Sequence, residues 1–470
     1  MPGVNVIFLT GVMTPWFERS IGAYQLSNFI KSHGYTTQVI DFIHLFDKEL
    51  LLNTLEKFTS KDTKVLGLSS TFISENIYIG TGDGVKSGTV PSWLIDSFKI
   101  YKQKNPHVKI VVGGSKAKSY ANCEFVDSVI TGYAEISLLN YLNENSSLKI
   151  IDGDKYLSNF DASKIKHKFC KEDVILKGET LPIEISRGCI FRCKFCAYPL
   201  NGKKKLDHLR DVELVKEELI NNYEKWKITN YLISDDTFND SNEKLEALHS
   251  MITSLPFKIN FVCYLRLDLL YHYREVQLQM LEEMGLKSCH FGVESFFPPT
   301  AKFIGKGLSE DKTKDFLLEL KKRWKNKISF MCTFISGLPF ESKESCIETG
   351  KWCMENNITF WMMPLTINPN NVYKSDIDIN YKEYGYSLNK DLTWTSEYMT
   401  YQEAKEIASL YIENPAAHKV SAWNMFALLN AGIHTADELY HLSYSDIDKK
   451  LYKTAVSEKF KQYVSGLHQL

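Results

Sequence analysis

Short runs of aliphatic and β-branched residues alternate with amphipathic stretches through the first third of the chain. The apolar runs predict strands at Val4–Leu9, Thr36–Asp41, Lys64–Ser69, Lys109–Val112 and Ser128–Thr131. Between them a helical spacing of apolar positions predicts helices at Ile21–Ser32, Lys48–Phe58, Ser92–Lys104 and Ile136–Asn143. Strict alternation of this kind requires parallel strands joined by crossover helices, so residues 1–145 are expected to form an open, doubly wound α/β domain. Ligands of such sheets lie beyond the carboxyl ends of the strands. Thr10-Gly11, Ser69-Ser70-Thr71, Gly113-Gly114-Ser115 and Gly132-Tyr133-Ala134-Glu135 fall there.

Residues 146–180 are polar and weakly periodic, and read as a connector. A second alternation follows, with strands expected at Pro182–Ser186, Asn230–Ser234, Lys258–Leu265, Ser288–Val293, Ile328–Ile335 and Thr359–Leu365. The intervening helices are Val212–Tyr223, Asn242–Thr253, Val276–Met284, Glu310–Lys322 and Lys343–Glu355. A βα series of this length over 181–368 predicts a barrel or partial barrel whose functional residues end its strands. Residues 369–470 begin rich in Tyr, Asn and Asp and then turn helical, at Tyr401–Tyr411 and Ala422–Leu429. They are expected to form a mostly helical cap over the barrel mouth, with Trp394 and Tyr398 as lid aromatics. A glycine-rich insertion, Gly80 to Gly88, is either a binding loop or a lid.

At 470 residues the chain exceeds one ordinary core, in keeping with two or three domains. Its 44% apolar and 24% charged residues are the balance of a soluble protein. No apolar run approaches the roughly 18 residues that span a bilayer, so a cytoplasmic location without membrane association is expected. A net charge of −1 gives no global reason to expect nucleic acid as a partner. Of the basic runs, Lys321–Lys325 reads as a solvated helix end and Lys203–Lys205 in the first place as solvated too, its alternative, directly after the cysteine cluster, being contact with an anionic substrate.

Ten cysteines are too few for a disulfide scaffold, yet Cys189, Cys193 and Cys196 fall within eight positions. They follow a predicted strand, among Arg187, Gly188, Arg192 and Lys194, whose charges favour thiolates. Zinc would call for a second Cys or His pair, and the next candidate, His208, lies twelve residues beyond Cys196. An iron–sulfur cluster normally takes four cysteines. Three would leave one iron open to a substrate or cofactor. Cys263, Cys289, Cys332, Cys346 and Cys353 fall on predicted strands and helices and read as core thiols.

The C-x₃-C-x₂-C spacing, followed by Tyr198, closely resembles the radical S-adenosylmethionine (SAM) superfamily. The likeness continues through Ile233-Ser234-Asp235-Asp236-Thr237-Phe238, Leu265-Arg266-Leu267-Asp268, Phe291-Gly292-Val293-Glu294-Ser295 and Gly337-Leu338-Pro339-Phe340-Glu341. It covers roughly residues 180–345. The resemblance implies a partial (βα)₆ TIM-type barrel and a [4Fe–4S] cluster on Cys189, Cys193 and Cys196. It further implies SAM bound at the open iron and cleaved to a 5′-deoxyadenosyl radical, with an external electron donor such as flavodoxin or ferredoxin. On this reading Phe195, Tyr198, Arg266, Glu294 and Ser295 bind cofactor, with Arg266 and Glu294 suited to the SAM carboxylate and ribose. Asp235 and Asp236 are candidate catalytic residues. Their plainer alternative is helix capping, and that of Arg266 and Glu294 is an interior ion pair.

The first third resembles the Rossmann-like cobalamin-binding domain of the B12-dependent radical SAM subfamily, through Ile21–Leu26, Gly34, Asp41, Gly67-Leu68-Ser69, Val111–Gly114, and Asp127–Gly132 with Glu135. That likeness places Ser69, Gly113, Gly114, Gly132 and Glu135 at a cobalamin site. The D-x-H-x-x-G pattern that supplies a lower axial histidine is missing, since His44 stands three residues after Asp41. The implied reaction is methyl transfer to an unactivated carbon of a small molecule or peptide. A cobalamin-free radical SAM enzyme and a non-catalytic metal-stabilised binding protein stay open as alternatives.

Overall fold

A computed structural model describes residues 3–11, 17–71, 91–144, 147–325, 327–412 and 449–470. The insertion at Gly80–Gly88 and the helix expected at Ala422–Leu429 lie outside these residues. The chain divides into two compact units: Met1–Pro182 with Glu217–Ile228 and Lys453–Leu470, and Ile183–Lys216 with Thr229–Tyr452.

In the first unit the expected alternation is present: β1 (Val6–Leu9), α1 (Ile21–Ser32), β2 (Thr37–Ile40), α2 (Lys48–Phe58), β3 (Val65–Ser69), α3 (Ser92–Lys104), β4 (Lys109–Gly113), β5 (Ser128–Thr131), α4 (Glu135–Glu144) and β6 (Ile150–Asp152). Local chemistry sets the boundaries; α2, for instance, opens where the Asp47 carboxylate accepts the Leu50 amide. The parallel strands run in the order β2-β1-β3-β4-β5-β6. Their side chains are almost wholly buried from β1 to β5, as a sheet covered on both faces requires. The order reverses direction at β1 and β3, so the crevice beyond their carboxyl ends is the topological switch point. Strand β6 lies inside the stretch expected to be a connector. Its three residues, at the sheet edge and half exposed, are too few to show a period.

The C-terminal helix, Lys449–Gln469, departs from the expected cap, because its residues from Lys453 onward belong to the first unit. Tyr463 and Leu467 are fully buried, the Tyr463 hydroxyl accepts the Asp41 amide at 2.9 Å, and its ring meets Phe42 edge-on. These two apolar anchors decide where the helix docks.

The second sheet and its helices comprise β7 (Thr180–Ile183), α5 (Val212–Trp226), β8 (Asn230–Ile233), α6 (Asn242–Thr253), β9 (Asn260–Leu265), α7 (Leu267–His272), α8 (Arg274–Met284), β10 (Leu286–Glu294), α9 (Pro298–Ile304), α10 (Glu310–Arg323), β11 (Ser329–Ser336), α11 (Lys343–Glu355) and β12 (Phe360–Pro364). Its six strands lie in sequential order, and the pairs from β8 to β12 are parallel, which is an open, partial (βα)₆ barrel. After β12 come α12 (Asp376–Asn380), a short hairpin pairing Ser387–Leu388 with Trp394–Thr395, and α13 (Tyr401–Ile412). Trp394 is a packing residue rather than a lid. It is buried, its indole donates to the Leu365 carbonyl, and it lies where any Cβ on Gly337 would strike its ring at 2.2 Å. No helix among the described residues is long and apolar enough to cross a membrane.

Candidate active site

The cysteine loop leaves β7 and is tied back on itself, with the Gly202 amide donating to the carbonyls of Cys189 and Phe191. Each thiol then meets a polar partner from a different part of the unit. Cys189 Sγ lies 3.3 Å from Thr237 Oγ1, Arg266 Nη1 donates to Cys193 Sγ at 3.3 Å, and Asn201 Nδ2 donates to Cys196 Sγ at 3.2 Å. Burial pushes the Cys189 and Cys196 thiols up. Among the described residues no three Cys, His, Asp or Glu side chains converge closely enough to hold a single metal ion. Lys194, inside the loop, is latched to Asp376 Oδ2 at 2.7 Å and Tyr384 Oη at 3.1 Å.

The two aspartates after β8 have different surroundings. Asp235 is fully enclosed: its Oδ1 accepts the amides of Ile185 and Ser186 at 2.8 and 2.9 Å, and its Oδ2 accepts from Lys244 Nζ at 3.1 Å. Lys244 is itself buried and also pairs with Asp240 at 3.0 Å. Three hydrogen bonds inside the protein thus hold the Asp235 carboxylate against the chain entering the cysteine loop. Asp236 is half-buried, and burial, with Asp235 and Glu184 nearby, pushes its carboxyl up to about 6. Lys203, read as a possible anion contact, instead donates to Ser186 Oγ and the Arg187 carbonyl.

Arg266, at the end of β9, is held by Asp268 through two hydrogen bonds of 2.9 and 2.6 Å and stacks 3.7 Å from the Phe191 ring centroid. Its Nη2 also reaches the Gly305 carbonyl at 3.0 Å, so the guanidinium expected to grip a SAM carboxylate is already committed. Glu294 ends β10 with φ of 71°, in the left-handed region, where the register shifts between Gly292 and Glu294. A backbone so held costs about 1–3 kcal/mol. Its carboxylate lies over Gly292, where a Cβ would come within 2.4 Å of Oε1, and 3.7 Å from Lys306 Nζ. Burial raises the Glu294 pKa against the pull of Lys306. Asp268, Gly292, Ser295, Lys306 and Gly307 help to line a small open pocket at these strand ends. Phe195 lies beneath Lys306 Nζ, 5.7 Å from the ring centroid, while the Tyr198 side chain is exposed.

The Ser295 hydroxyl donates to Glu341 Oε1 at 2.6 Å. Burial pushes Glu341 up to about 8, so it carries a proton at neutral pH. A raised carboxyl loses stability for the fold as pH climbs from its ordinary value of 4.5 to about 8. Glu341→Gln, which still accepts from Ser295, is therefore expected to gain on the parent across that window, by about 1.4 kcal/mol per pKa unit removed, and to show no gain below pH 4. Urea unfolding at pH 4, 6 and 8 measures this.

In the first unit Ser69 and Gly113 stand side by side at the ends of β3 and β4. Ser70 donates to the Gly113 carbonyl at 2.7 Å, and Gly114, with φ of 94°, packs directly against Ser70 and Thr71. Beside Gly113 there is open space, with no described atom within 4 Å of a built Cβ. Gly132 serves packing instead, because a Cβ there would strike the Asp154 carboxylate at 2.3 Å. Glu135 is buried in the first turn of α4. His44 is buried close to Gly11.

Lys306, Asn201 and Lys244 were not singled out from the sequence, and Asp268 and Thr237 stood there only inside longer motif stretches. Of the first three only Lys306 carried a signal, as the lone cation in Gly305-Lys306-Gly307.

Residues 183–353 match the family model of the Radical SAM superfamily. An uncharacterized methyltransferase of Pyrococcus horikoshii is 26% identical over 288 residues, covering 56% of this chain and 61% of the relative, so the chain spans about three fifths of the length of the curated relative it matches. Among solved structures, the radical SAM methyltransferase TsrM from Kitasatospora setae, with tryptophan substrate and a SAM analog bound, aligns over 82% of this chain and 79% of its own, at TM-score 0.60 and 14% identity. The cobalamin-dependent SAM radical enzyme OxsB, with aqua-cobalamin bound, aligns over 98% of this chain and 72% of its own, at TM-score 0.59 and 13% identity. At these identities the structural likeness is one of fold. Taken with the three-thiol loop and the six-stranded partial barrel, the family match makes residues 183–353 similar to the radical SAM superfamily.

Proposed function

We propose that the chain is a cobalamin-dependent radical SAM methyltransferase, acting at an unactivated carbon of a small molecule or peptide and drawing its electron from an external donor of the flavodoxin or ferredoxin kind. The observation that carries this reading is the union, in one chain, of a three-thiol loop at the end of β7 with a separate parallel sheet that leaves open space beside Gly113 at the end of β4. Near-neutral charge favours a small or peptide substrate over RNA.

Cys189, Cys193 and Cys196 would hold three irons of a [4Fe–4S] cluster, leaving the fourth for SAM. Glu294 and Lys306, one acceptor and one donor 3.7 Å apart at the end of β10, suit the charged groups of an amino acid. Phe195 supplies apolar surface beside Lys306, and Tyr198 follows the cysteine loop. Ser69, Gly113 and Gly114 would lie against cobalamin, Gly113 offering the space and Gly114 the close backbone approach. When bound, the cluster with SAM supplies one-electron cleavage to a carbon radical, and cobalamin supplies methyl transfer. The chain's own part is positional. Asp235 and Lys244 fix the loop's entry, Asn201 and Arg266 donate to cysteine sulfur, and Asp236, half-buried beside the loop, is placed to hold or move a proton.

Gly113→Phe tests the first-unit assignment, since it fills the space without disturbing the barrel. After anaerobic incubation with cobalamin and desalting, the variant is expected to retain at least tenfold less cobalt than the parent, with iron unchanged. Equal cobalt in both would remove cobalamin from this site and favour a cobalamin-free radical SAM enzyme.

A further inference from the structure

We infer that Arg266 is a positioning residue that sets the electron affinity of the metal centre through Cys193, rather than a ligand of SAM, and that Asp268 opposes it. This rests on the radical SAM reading above. The guanidinium touches the cysteine loop at two points. Nη1 donates to Cys193 Sγ at 3.3 Å, and its plane lies 3.7 Å from the ring centroid of Phe191, midway along the segment between the first two cysteines. The remaining contacts hold it still: Asp268 takes Nε and Nη2, Gly305 takes a second Nη2 hydrogen, and the Arg266 amide is pinned by Asn239 Oδ1 at 2.8 Å. Asn239 is buried and is braced in turn by Gln277 Oε1. Four of five guanidinium hydrogens are thereby used, one of them on sulfur.

A fixed cation and a hydrogen bond on a ligand sulfur stabilise the added negative charge of a reduced cluster, so they raise its potential. The pair Arg266 and Asp268 is mostly buried, where screening by solvent is weak. Asp268, one bond network further out, contributes charge of the opposite sign. Removing either member should therefore move the potential in opposite directions.

The test uses the full chain, reconstituted anaerobically with iron and sulfide, as parent, Arg266→Met and Asp268→Asn. Iron per chain is measured first, then the potential by EPR-monitored redox titration, and SAM affinity by the change it makes in the EPR signal. Arg266→Met is expected to be harder to reduce by about a factor of ten, ~59 mV for one electron, and Asp268→Asn easier to reduce, with SAM affinity in both within about threefold of the parent. Parental potentials in cluster-loaded variants, or shifts of the same sign in both, would overturn the inference. So would a large loss of SAM affinity in Arg266→Met, which would make Arg266 the SAM ligand. Should Arg266→Met fail to take up iron, Asp268→Asn decides alone by the sign of its shift. A parent chain that takes up no cluster would instead defeat the underlying radical SAM reading.

Discussion

Alanine at any one of Cys189, Cys193 or Cys196 is expected to reduce formation of 5′-deoxyadenosine to the protein-free background while leaving the fold intact. Each thiol is the terminus of its own polar contact, so none can be covered by a neighbour. The other cysteines of the second unit, Cys263, Cys289, Cys332, Cys346 and Cys353, are buried in its core and cannot be recruited. The loop's shape depends on backbone contacts that survive substitution, among them Gly202 to the Cys189 carbonyl and Asp235 to the Ser186 amide. Iron content should therefore fall with unchanged circular dichroism. A variant that keeps four irons and full cleavage would show that the replaced residue is not a ligand.

Arg19→Met should be the most damaging single change to the stability of the first unit. All five guanidinium hydrogens are used: Nε and Nη2 on Glu179 at 2.5 and 3.1 Å, Nη1 on Tyr24 Oη and the Asp173 carbonyl, and Nη2 on the Val174 carbonyl. Phe42, Tyr463 and Tyr24 place their rings around it at 5.0 to 5.6 Å. Burial alone would lower the Arg19 pKa, but Glu179 and Tyr24 hold it well above its ordinary value. Removing the cation leaves Glu179, whose side chain is 0% exposed, as an unpaired buried charge, and breaking such a pair costs about 3–5 kcal/mol. Urea unfolding should show a loss of this size for Arg19→Met, and a smaller one when Glu179→Met accompanies it. A single-variant loss below about 1 kcal/mol would mean that the pair is solvated.

What could be read before the structure was what repeats. The alternation of β-branched runs and amphipathic stretches located eleven of the twelve strands in the two sheets to within two or three residues, the exception being β6, which is too short to have a period. The three cysteines were legible because their spacing is local. Arg266 and Asp235 were visible as residues, but their partners were not: a guanidinium looks the same in sequence whether it faces a ligand or Asp268 two positions away. Trp394 and the C-terminal helix were misjudged for a related reason. An aromatic or amphipathic pattern says that a face will be buried, not which surface will bury it. Lys306, Asn201 and Thr237 entered the site through loops whose paths no periodicity encodes.

The account's central claim is that this chain binds a redox cluster that cleaves SAM and that it also takes up cobalamin. Anaerobic reconstitution with iron, sulfide and cobalamin, followed by desalting, metal analysis and a reductive assay for 5′-deoxyadenosine, tests it most directly. About four irons and stoichiometric cobalt per chain, with SAM cleavage, is the predicted result, whereas bound zinc without cleavage would contradict it.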